Sequence, residues 1–468
     1  MTIQAKPVIG RIARAIGAFI ITGSVATHAG DRPESEQAQT PAERGWQHLI
    51  AKPFGDPNVT EAQFLELWKT WPEPLQSEAE QASTQQRREM AFRRYGFVAD
   101  PDPDSERTAP LNVADAGDGR WTLNCLSCHQ GKVAGRVIPG LPNTHFAFQT
   151  LGNDLVALRR LKGEKPTPAE LGLAFASLGR TNGTTNAQIF SVALVAKRDK
   201  DLNLEPGNPF PKLVNHDLDA PPLWNTSRKR RLYIDGFPEK TARVIMQFVL
   251  GESNSGETIR GWESDFQDVL AWIESLEPPK YPWEVNAELA ATGKQLFEQT
   301  CARCHGTYGS DGEYPEKMIE ISDIGTDPLR LHGMPVEHRR FFKDSWFGDY
   351  GERTVLENPE GYVAPPLDGV WASAPYFHNG SVPTLWQVLN PDGRPQIWKR
   401  TEDGYDIDQL GLEISQFDEL PADVKKQPDQ RRQYYDARLP GKGAQGHEYP
   451  DELDADEKRA VLEYLKTL

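Results

Sequence analysis

The chain has 468 residues, which is long enough for two or three domains with cores of their own. Its 38% hydrophobic and 26% charged residues are typical of a globular protein rather than of a disordered or membrane-embedded chain. The formal net charge of −16 disfavours nucleic acid and anionic membranes as partners, because both repel an acidic surface.

The N-terminal residues have the pattern of a secretory signal peptide. Lys6, Arg11 and Arg14 supply positive charge, residues 15–26 form a short apolar run, and small residues around Ala29 offer a cleavage site. The run is shorter than the about 20 apolar residues that a spanning helix needs, and no later segment could span a bilayer. The alternative is an amphipathic helix that stays attached. The sequence predicts a signal peptide over 1–29 and a periplasmic or secreted protein.

Residues 30–119 are predicted to form an N-terminal helical extension. Aromatic and apolar positions between Trp46 and Tyr95 indicate helices, whereas residues 101–119 are rich in Pro, Asp and Gly and predict a loop. Four later segments also have helical patterns: 155–161, 187–196, 241–250 and 262–276.

All four cysteines lie in two motifs with the spacing C-x-x-C-H. The motifs are Cys125-Leu126-Ser127-Cys128-His129 and Cys301-Ala302-Arg303-Cys304-His305. Two cysteines three residues apart lie within about one helical turn, so both sulfurs can form thioethers with one porphyrin while the next histidine binds its iron. Zinc pairs are usually separated by about 15–20 residues, and neither zinc nor disulfides require the histidines. The sequence predicts two covalently bound haem c groups, with His129 and His305 as iron ligands.

A stiff Pro-rich segment at residues 277–282 marks the main domain boundary. A helix over 287–300 leads into the second motif. Asp454 and Glu457 form a capping-box pattern before a final amphipathic helix. Strand signals are weak, so the predicted fold class is mostly α. It comprises two cytochrome c-type haem domains with long loops, over 120–282 and 283–468, behind the helical extension.

Residues 374–385, with the sequence APYFHNGSVPTL, resemble a stretch shared by bacterial di-haem cytochrome c peroxidases and their relatives. These relatives include the di-haem enzyme that matures methylamine dehydrogenase and the di-haem rubber oxygenases. The resemblance covers roughly residues 120–468 and is strongest in the second half. Residues 278–282 and 306–309 look closer to the rubber-oxygenase-like branch. The resemblance implies two facing haem domains, one delivering electrons and the other meeting peroxide or dioxygen.

The same resemblance suggests further iron ligands. His145, sixteen residues after His129, matches a histidine that caps the first haem in resting peroxidases, and the alternative is a surface loop residue. His447 stands where the peroxidases place a methionine before the last helix, and Met334 is the competing ligand of the second haem. The choice matters because methionine raises a haem potential and a second histidine lowers it.

Other positions also resemble functional positions of the di-haem peroxidases, but less specifically. His378 resembles a residue near the second haem and the domain interface. Asn153, with the backbone at Ser373 and Pro375, falls where the peroxidases bind calcium, although an ordinary turn is the alternative. Gly179-Arg180 followed by Gln188 resembles the peroxidase distal loop, but the acid expected to follow is missing. Peroxide cleavage needs a group that moves a proton between the two oxygens.

The function predicted from these features is that of an exported di-haem redox enzyme. Its first haem would react with peroxide, dioxygen or a small organic substrate. Its second haem would pass on electrons from a small redox protein or a quinone-linked donor. The alternative is an electron-transfer cytochrome with no substrate of its own. Trp224 and Tyr233 are candidates for a place between the haems, against the commoner role of core aromatics.

Overall fold

The computed structural model describes residues 39–167, 170, 171, 174, 181–205, 217–349 and 354–468. The predicted signal peptide, residues 30–38 and Gly179-Arg180 lie outside the described residues.

Helices dominate the regular structure, and several begin at side chains that cap their free N–H groups. Thr40, Ser83 and Asp454 each form a capping box with the third residue of the helix that follows. The α-helices are α1 Pro41–Ala51, α2 Glu61–Phe64, α3 Leu75–Gln81, α4 Thr84–Tyr95, α5 Leu126–His129, α6 Phe148–Leu161, α7 Ala187–Val195, α8 Ala242–Ile245, α9 Gly256–Gly261, α10 Glu263–Glu274, α11 Ala287–Thr300, α12 Ala302–His305, α13 Ile321–Ile324, α14 Leu329–His332, α15 Val336–Asp344, α16 Leu385–Leu389, α17 Pro428–Arg431 and α18 Ala455–Leu465. Short 3-10 turns span Leu67–Thr70, Leu223–Thr226, Met246–Val249, Val370–Ala372, Pro391–Gly393, Val424–Lys426 and Tyr449–Glu452.

The strands are β1 Val59–Thr60, β2 Val113–Asp115, β3 Arg120–Leu123, β4 Gln130–Val133, β5 Arg136–Pro139, β6 Met318–Glu320, β7 Gly361–Val363, β8 Ile397–Asp406, β9 Gly411–Phe417 and β10 Tyr435–Asp436. Within the described part of the chain they form four small antiparallel sheets, with the orders β1-β3-β2, β4-β5, β6-β7 and β10-β8-β9.

The prediction of a mostly α fold is therefore correct only in part, since about 41% of the chain is helical and 13% is strand. The largest omission is the hairpin of β8 and β9. Strand β8 reads IWKRTEDGYD and lacks the alternation of apolar and polar residues that indicates a half-buried strand. Its anchors are tertiary contacts: Trp398 stacks on Tyr435 with ring centres 5.1 Å apart, and Tyr405 donates to the Trp371 carbonyl at 2.8 Å.

Two helix pairs position the haem motifs. Helix α1 packs on α10, where Arg44 and Asp268 form an ion pair at 2.7 Å. Helix α11, which leads into the second motif, crosses the final helix α18 at Gly293. A Cβ at Gly293 would overlap the Ala460 carbonyl oxygen, so only glycine allows this close approach. Both helices, the one before the second motif and the one at the C-terminal end, were predicted and are present.

Thr40–Leu468 form one compact unit with several apolar clusters. The boundary at residue 282 between two haem domains stays a prediction. Among the residues that the structure describes, no helix is both long and apolar enough to cross a bilayer.

Candidate haem-binding sites

The two C-x-x-C-H motifs form short helical turns in which all four cysteines are free and half-buried. Burial raises the pKa of Cys125 to about 11 and that of Cys301 to about 12. Both thiols are therefore protonated near neutral pH. Within the described residues the two pairs do not assemble into a group of three or more metal-binding side chains, so they fit two separate thioether sites better than one zinc site.

Each motif histidine is oriented by a hydrogen bond to a proline carbonyl. Nδ1 of His129 lies 3.0 Å from the Pro221 oxygen, and Nδ1 of His305 lies 2.8 Å from the Pro365 oxygen. Because a carbonyl only accepts, Nδ1 must carry the proton in both rings. The lone pair is then on Nε2, which is the arrangement of a histidine that binds a metal. Burial lowers the pKa of both rings, that of His129 to about 4, so both stay neutral.

The two prolines belong to a repeat that the sequence interpretation missed. Ala-Pro-Pro-Leu occurs at residues 220–223 and again at 364–367, once after each motif. Proline has a fixed φ and no N–H, so a Pro-Pro pair is stiff and its carbonyls are free to accept. A search for short segments that occur once after each motif, at any distance from it, would have found the repeat.

His447 faces His305, with ring centres 6.1 Å apart and planes at 65°. With metal–nitrogen bonds of about 2 Å and about 1.1 Å from a ring nitrogen to the ring centre, two imidazoles on one metal have centres roughly 6 Å apart. Burial, followed by repulsion from the neighbouring His305 and Arg394, lowers the pKa of His447 to about 3. The two rings therefore have a spacing at which they could hold one metal ion between them.

The backbone around His447 fixes its position. His447 has φ +53, in the left-handed region that is unfavourable for a residue with a side chain, and its N–H donates to the Ile324 carbonyl at 2.7 Å. Arg394 donates to the carbonyls of Ala444 and Gly446, both at 2.7 Å. Arg394 thus holds the loop that carries His447, a role with no signal in the sequence.

The other candidate ligands are placed differently. Nε2 of His145 lies 2.5 Å from the Glu402 carbonyl of the β8–β9 hairpin, so this nitrogen is a donor and has no lone pair to offer. Met334 packs in an apolar cluster with Phe342 and Phe347, whereas Cys301 packs against a different cluster. Of the three candidates, the structure brings only His447 against a motif histidine.

The remaining predicted site residues are scattered. The His378 ring lies 4.7 Å from that of Tyr362, and its carbonyl accepts from the N–H of Asp219 at 2.9 Å. Asn153 lies on α6, while Ser373 and Pro375 flank the turn Val370–Ala372. Within the described ranges, no group of three or more His, Cys, Asp or Glu side chains could hold a metal ion. Calcium binding stays a prediction.

A polar network joins Ser191, Gln247 and Tyr233. Ser191, one turn after Gln188 on α7, donates to Gln247, and Gln247 donates to the Tyr233 hydroxyl. Burial raises the pKa of Tyr233, Arg330 opposes the rise, and Asp235 and Cys125 add to it. The network draws on residues far apart in the chain, so no local pattern predicts it.

Comparison with known proteins identifies one family model and several distant relatives. The family model described as RoxA-like, cytochrome c-like matches residues 361–399, a segment that includes Pro365 and Arg394. The uncharacterized protein y4iM of Sinorhizobium fredii is 28% identical over 290 residues, covering 53% of this chain and 64% of the relative. The uncharacterized protein y4iJ of the same organism is 27% identical over 265 residues, covering 41% of each chain.

The cytochrome c peroxidase Ccp of Escherichia coli is 29% identical over 187 residues, covering 36% of this chain and 34% of the peroxidase. The chain thus spans less than two thirds of the length of each of these relatives. A cytochrome c-like domain implies covalently bound haem c. Together the family model and the peroxidase support a haem redox protein related to the di-haem cytochrome c peroxidase-like family.

Proposed function

We propose that this chain is an exported di-haem redox enzyme with two haems of unequal ligation. The second haem is held between His305 and His447 and transfers electrons. His129 would be the one protein ligand of the first haem, which would supply a site for a small oxidant. Peroxide is the proposed substrate, supported by the similarity to the cytochrome c peroxidase of Escherichia coli.

The observation that carries this proposal is the contrast between His447 and His145. His447 lies with its ring centre 6.1 Å from that of His305. His145 instead directs Nε2 at the Glu402 carbonyl, so it has no lone pair there for the first iron. A haem with two protein ligands is suited to electron transfer. A haem with a single protein ligand is suited to binding a substrate.

The network of Ser191, Gln247 and Tyr233 is the proposed source of polar groups for this chemistry. Haem supplies an iron that changes between ferric and ferrous and accepts a small ligand at an open position. Reducing one peroxide to two waters consumes two electrons and two protons, and two haems store those two electrons. The Tyr233 hydroxyl, held by Gln247, is the group of this chain placed to hold or pass a proton at its oxygen.

Stopped-flow mixing of the fully reduced protein with one equivalent of hydrogen peroxide tests the proposal. We expect both haems to be oxidised by a single equivalent, as followed at their Soret bands. His145→Ala should react at about the wild-type rate, whereas Tyr233→Phe should react more slowly. Both variants should keep two haems.

Three other results would change the assignment. Oxidation by oxygenated buffer at a comparable rate, without peroxide, would make dioxygen the substrate. No reaction with either oxidant, and no binding of cyanide to the ferric protein, would leave an electron-transfer cytochrome without a substrate. A large gain in peroxide reactivity on His145→Ala would show that His145 caps the first haem.

A further inference from the structure

The two residues that follow the first Ala-Pro-Pro-Leu segment are hydrogen-bonded to the second segment and to the residue after it. Nε1 of Trp224 donates to the Asp368 carbonyl at 2.7 Å, and Nδ2 of Asn225 donates to the Pro366 carbonyl at 2.9 Å. Both donors are buried, with 2% of Trp224 and 4% of Asn225 exposed. These bonds are therefore shielded from water. Inside a protein, a hydrogen bond of a given geometry is stronger than it is in water.

The joined segments are the ones that hold the motif histidines. Pro221, which accepts from His129, stands four residues before Asn225. Pro365, which accepts from His305, immediately precedes Pro366, the acceptor of Asn225. A short run of covalent bonds and hydrogen bonds therefore connects one imidazole to the other.

The chain segments that make this connection are rigid and closely packed. Consecutive prolines have fixed φ angles, so Pro366 cannot move without moving the carbonyl of its neighbour. Gly369 packs against the same place with φ +63. A Cβ there would lie 2.9 Å from Pro279 and 3.1 Å from Nε1 of Trp224, so no side chain fits between the segments. A displacement of one proline pair therefore also displaces the other proline pair.

We propose that Asn225 and Trp224 are positioning residues that couple the two haems through their proximal histidines. An imidazole that donates a stronger hydrogen bond from Nδ1 becomes a more basic ligand and stabilises ferric iron. A ligand or redox change at one haem then alters the hydrogen bond on the other histidine, and with it the other reduction potential. Thermodynamic linkage makes this coupling reciprocal. The inference rests on the proposed pair of haems.

Charge on one iron also influences the other through space, and the test must separate the two effects. Trp224→Phe removes one donor and keeps a large ring, and Asn225→Leu removes the other donor at similar volume. Neither substitution changes the charge of the protein. Coupling through space should survive both substitutions, whereas coupling through the proline pairs should not.

The experiment is a spectroelectrochemical titration at the Soret bands, with and without cyanide bound to the first haem. In the wild type, cyanide should shift the midpoint potential of the second haem. In the Trp224→Phe/Asn225→Leu double variant, this shift should fall by at least half. Trp371→Phe is the matched control, because Trp371 is equally buried and donates to the Pro279 carbonyl at 2.8 Å without joining the two segments. It should keep the wild-type shift.

The coupling is overturned if the double variant keeps both haems and unchanged histidine ligation and still shows the full cyanide-induced shift in the potential of the second haem. If the double variant does not fold, the Trp224→Phe single variant decides, with a partial loss of the shift expected. If cyanide binds to neither haem of the wild type, the proposed function fails. The coupling is then read in His447→Ala, where cyanide at the second haem should shift the first.

Discussion

At the scale of single residues, the orientation of a few polar atoms decides which histidines can bind iron. Nδ1 donates to a proline carbonyl in His129 and His305, which leaves Nε2 for a metal. In His145, Nε2 itself donates. The motifs and the resemblance to di-haem peroxidases predicted these histidines as ligands. The sequence does not show, however, which ring nitrogen of each histidine forms a hydrogen bond with a neighbour. That depends on Pro221, Pro365 and Glu402, which are 92, 60 and 257 residues away.

Replacing His447 tests its role as the second axial ligand. His447→Met should raise the potential of the second haem by a sizeable part of the roughly 0.8 V range that axial ligands span. His447→Ala should create a high-spin signal, because the second iron loses a strong ligand. A redox titration followed at the Soret band, together with a spin-state spectrum, measures both changes.

Met334→Ala is the control for this experiment, since Met334 packs among aromatic residues in a separate cluster. It should leave both potentials unchanged. A wild-type sulfur-to-iron band at the red edge of the spectrum that disappears in Met334→Ala would make Met334 the ligand and would refute the assignment of His447.

At the scale of elements, helices were predicted well and strands poorly. The helix at 287–300 and the capping box at Asp454 were predicted from local patterns and are present. Capping and helical periodicity are local properties of the sequence, so they can be recognised without tertiary information. The β8–β9 hairpin depends instead on contacts with Trp371 and Tyr435, which the sequence does not reveal.

Gly293→Ala tests the crossing of α11 and α18. The added methyl group would overlap the Ala460 carbonyl, so the helices must move apart. Overpacking of this kind typically costs about 1–3 kcal/mol of unfolding free energy. Because α11 leads into the second motif, the histidine ligation of the second haem should also be lost at a lower denaturant concentration. Denaturant titration with absorbance at the Soret band measures both effects.

Gly261→Ala is the matched control, because a Cβ at Gly261 meets nothing within 4 Å. It should be neutral or stabilise the protein by about 0.4–1 kcal/mol, since alanine loses less conformational entropy on folding. Equal stability of the two variants would contradict the described helix crossing.

At the scale of the whole molecule, buried contacts join segments that are far apart in the chain. Lys442 and Asp217 form an ion pair at 2.6 Å with side chains 1% and 0% exposed, across 225 residues. The proline pairs that hold the two motif histidines are joined in the same long-range way. Composition and motifs predicted covalent haem and the two motif ligands. They could not predict these connections, because no local pattern encodes which distant segments meet.

Lys442→Met tests the buried pair. Removing the lysine charge leaves the buried Asp217 carboxylate with less compensation, and breaking such pairs typically destabilises a protein by about 3–5 kcal/mol. The exposed pair of Lys425 and Glu419, 3.8 Å apart, is the control, and Lys425→Met should cost about 0–1 kcal/mol. Guanidinium denaturation measures both values, and similar losses in the two variants would contradict the burial of Lys442.

The central claim is that the chain holds two covalent haems with different ligation, one between two histidines and one with a single protein ligand. Low-temperature EPR of the ferric protein tests this most directly, after pyridine haemochrome analysis has counted the haem that resists acid-acetone extraction. We expect two haems per chain. One should give a low-spin signal typical of two nitrogen ligands, and the other a high-spin signal of equal spin count. Two low-spin signals, or a single haem per chain, would contradict it.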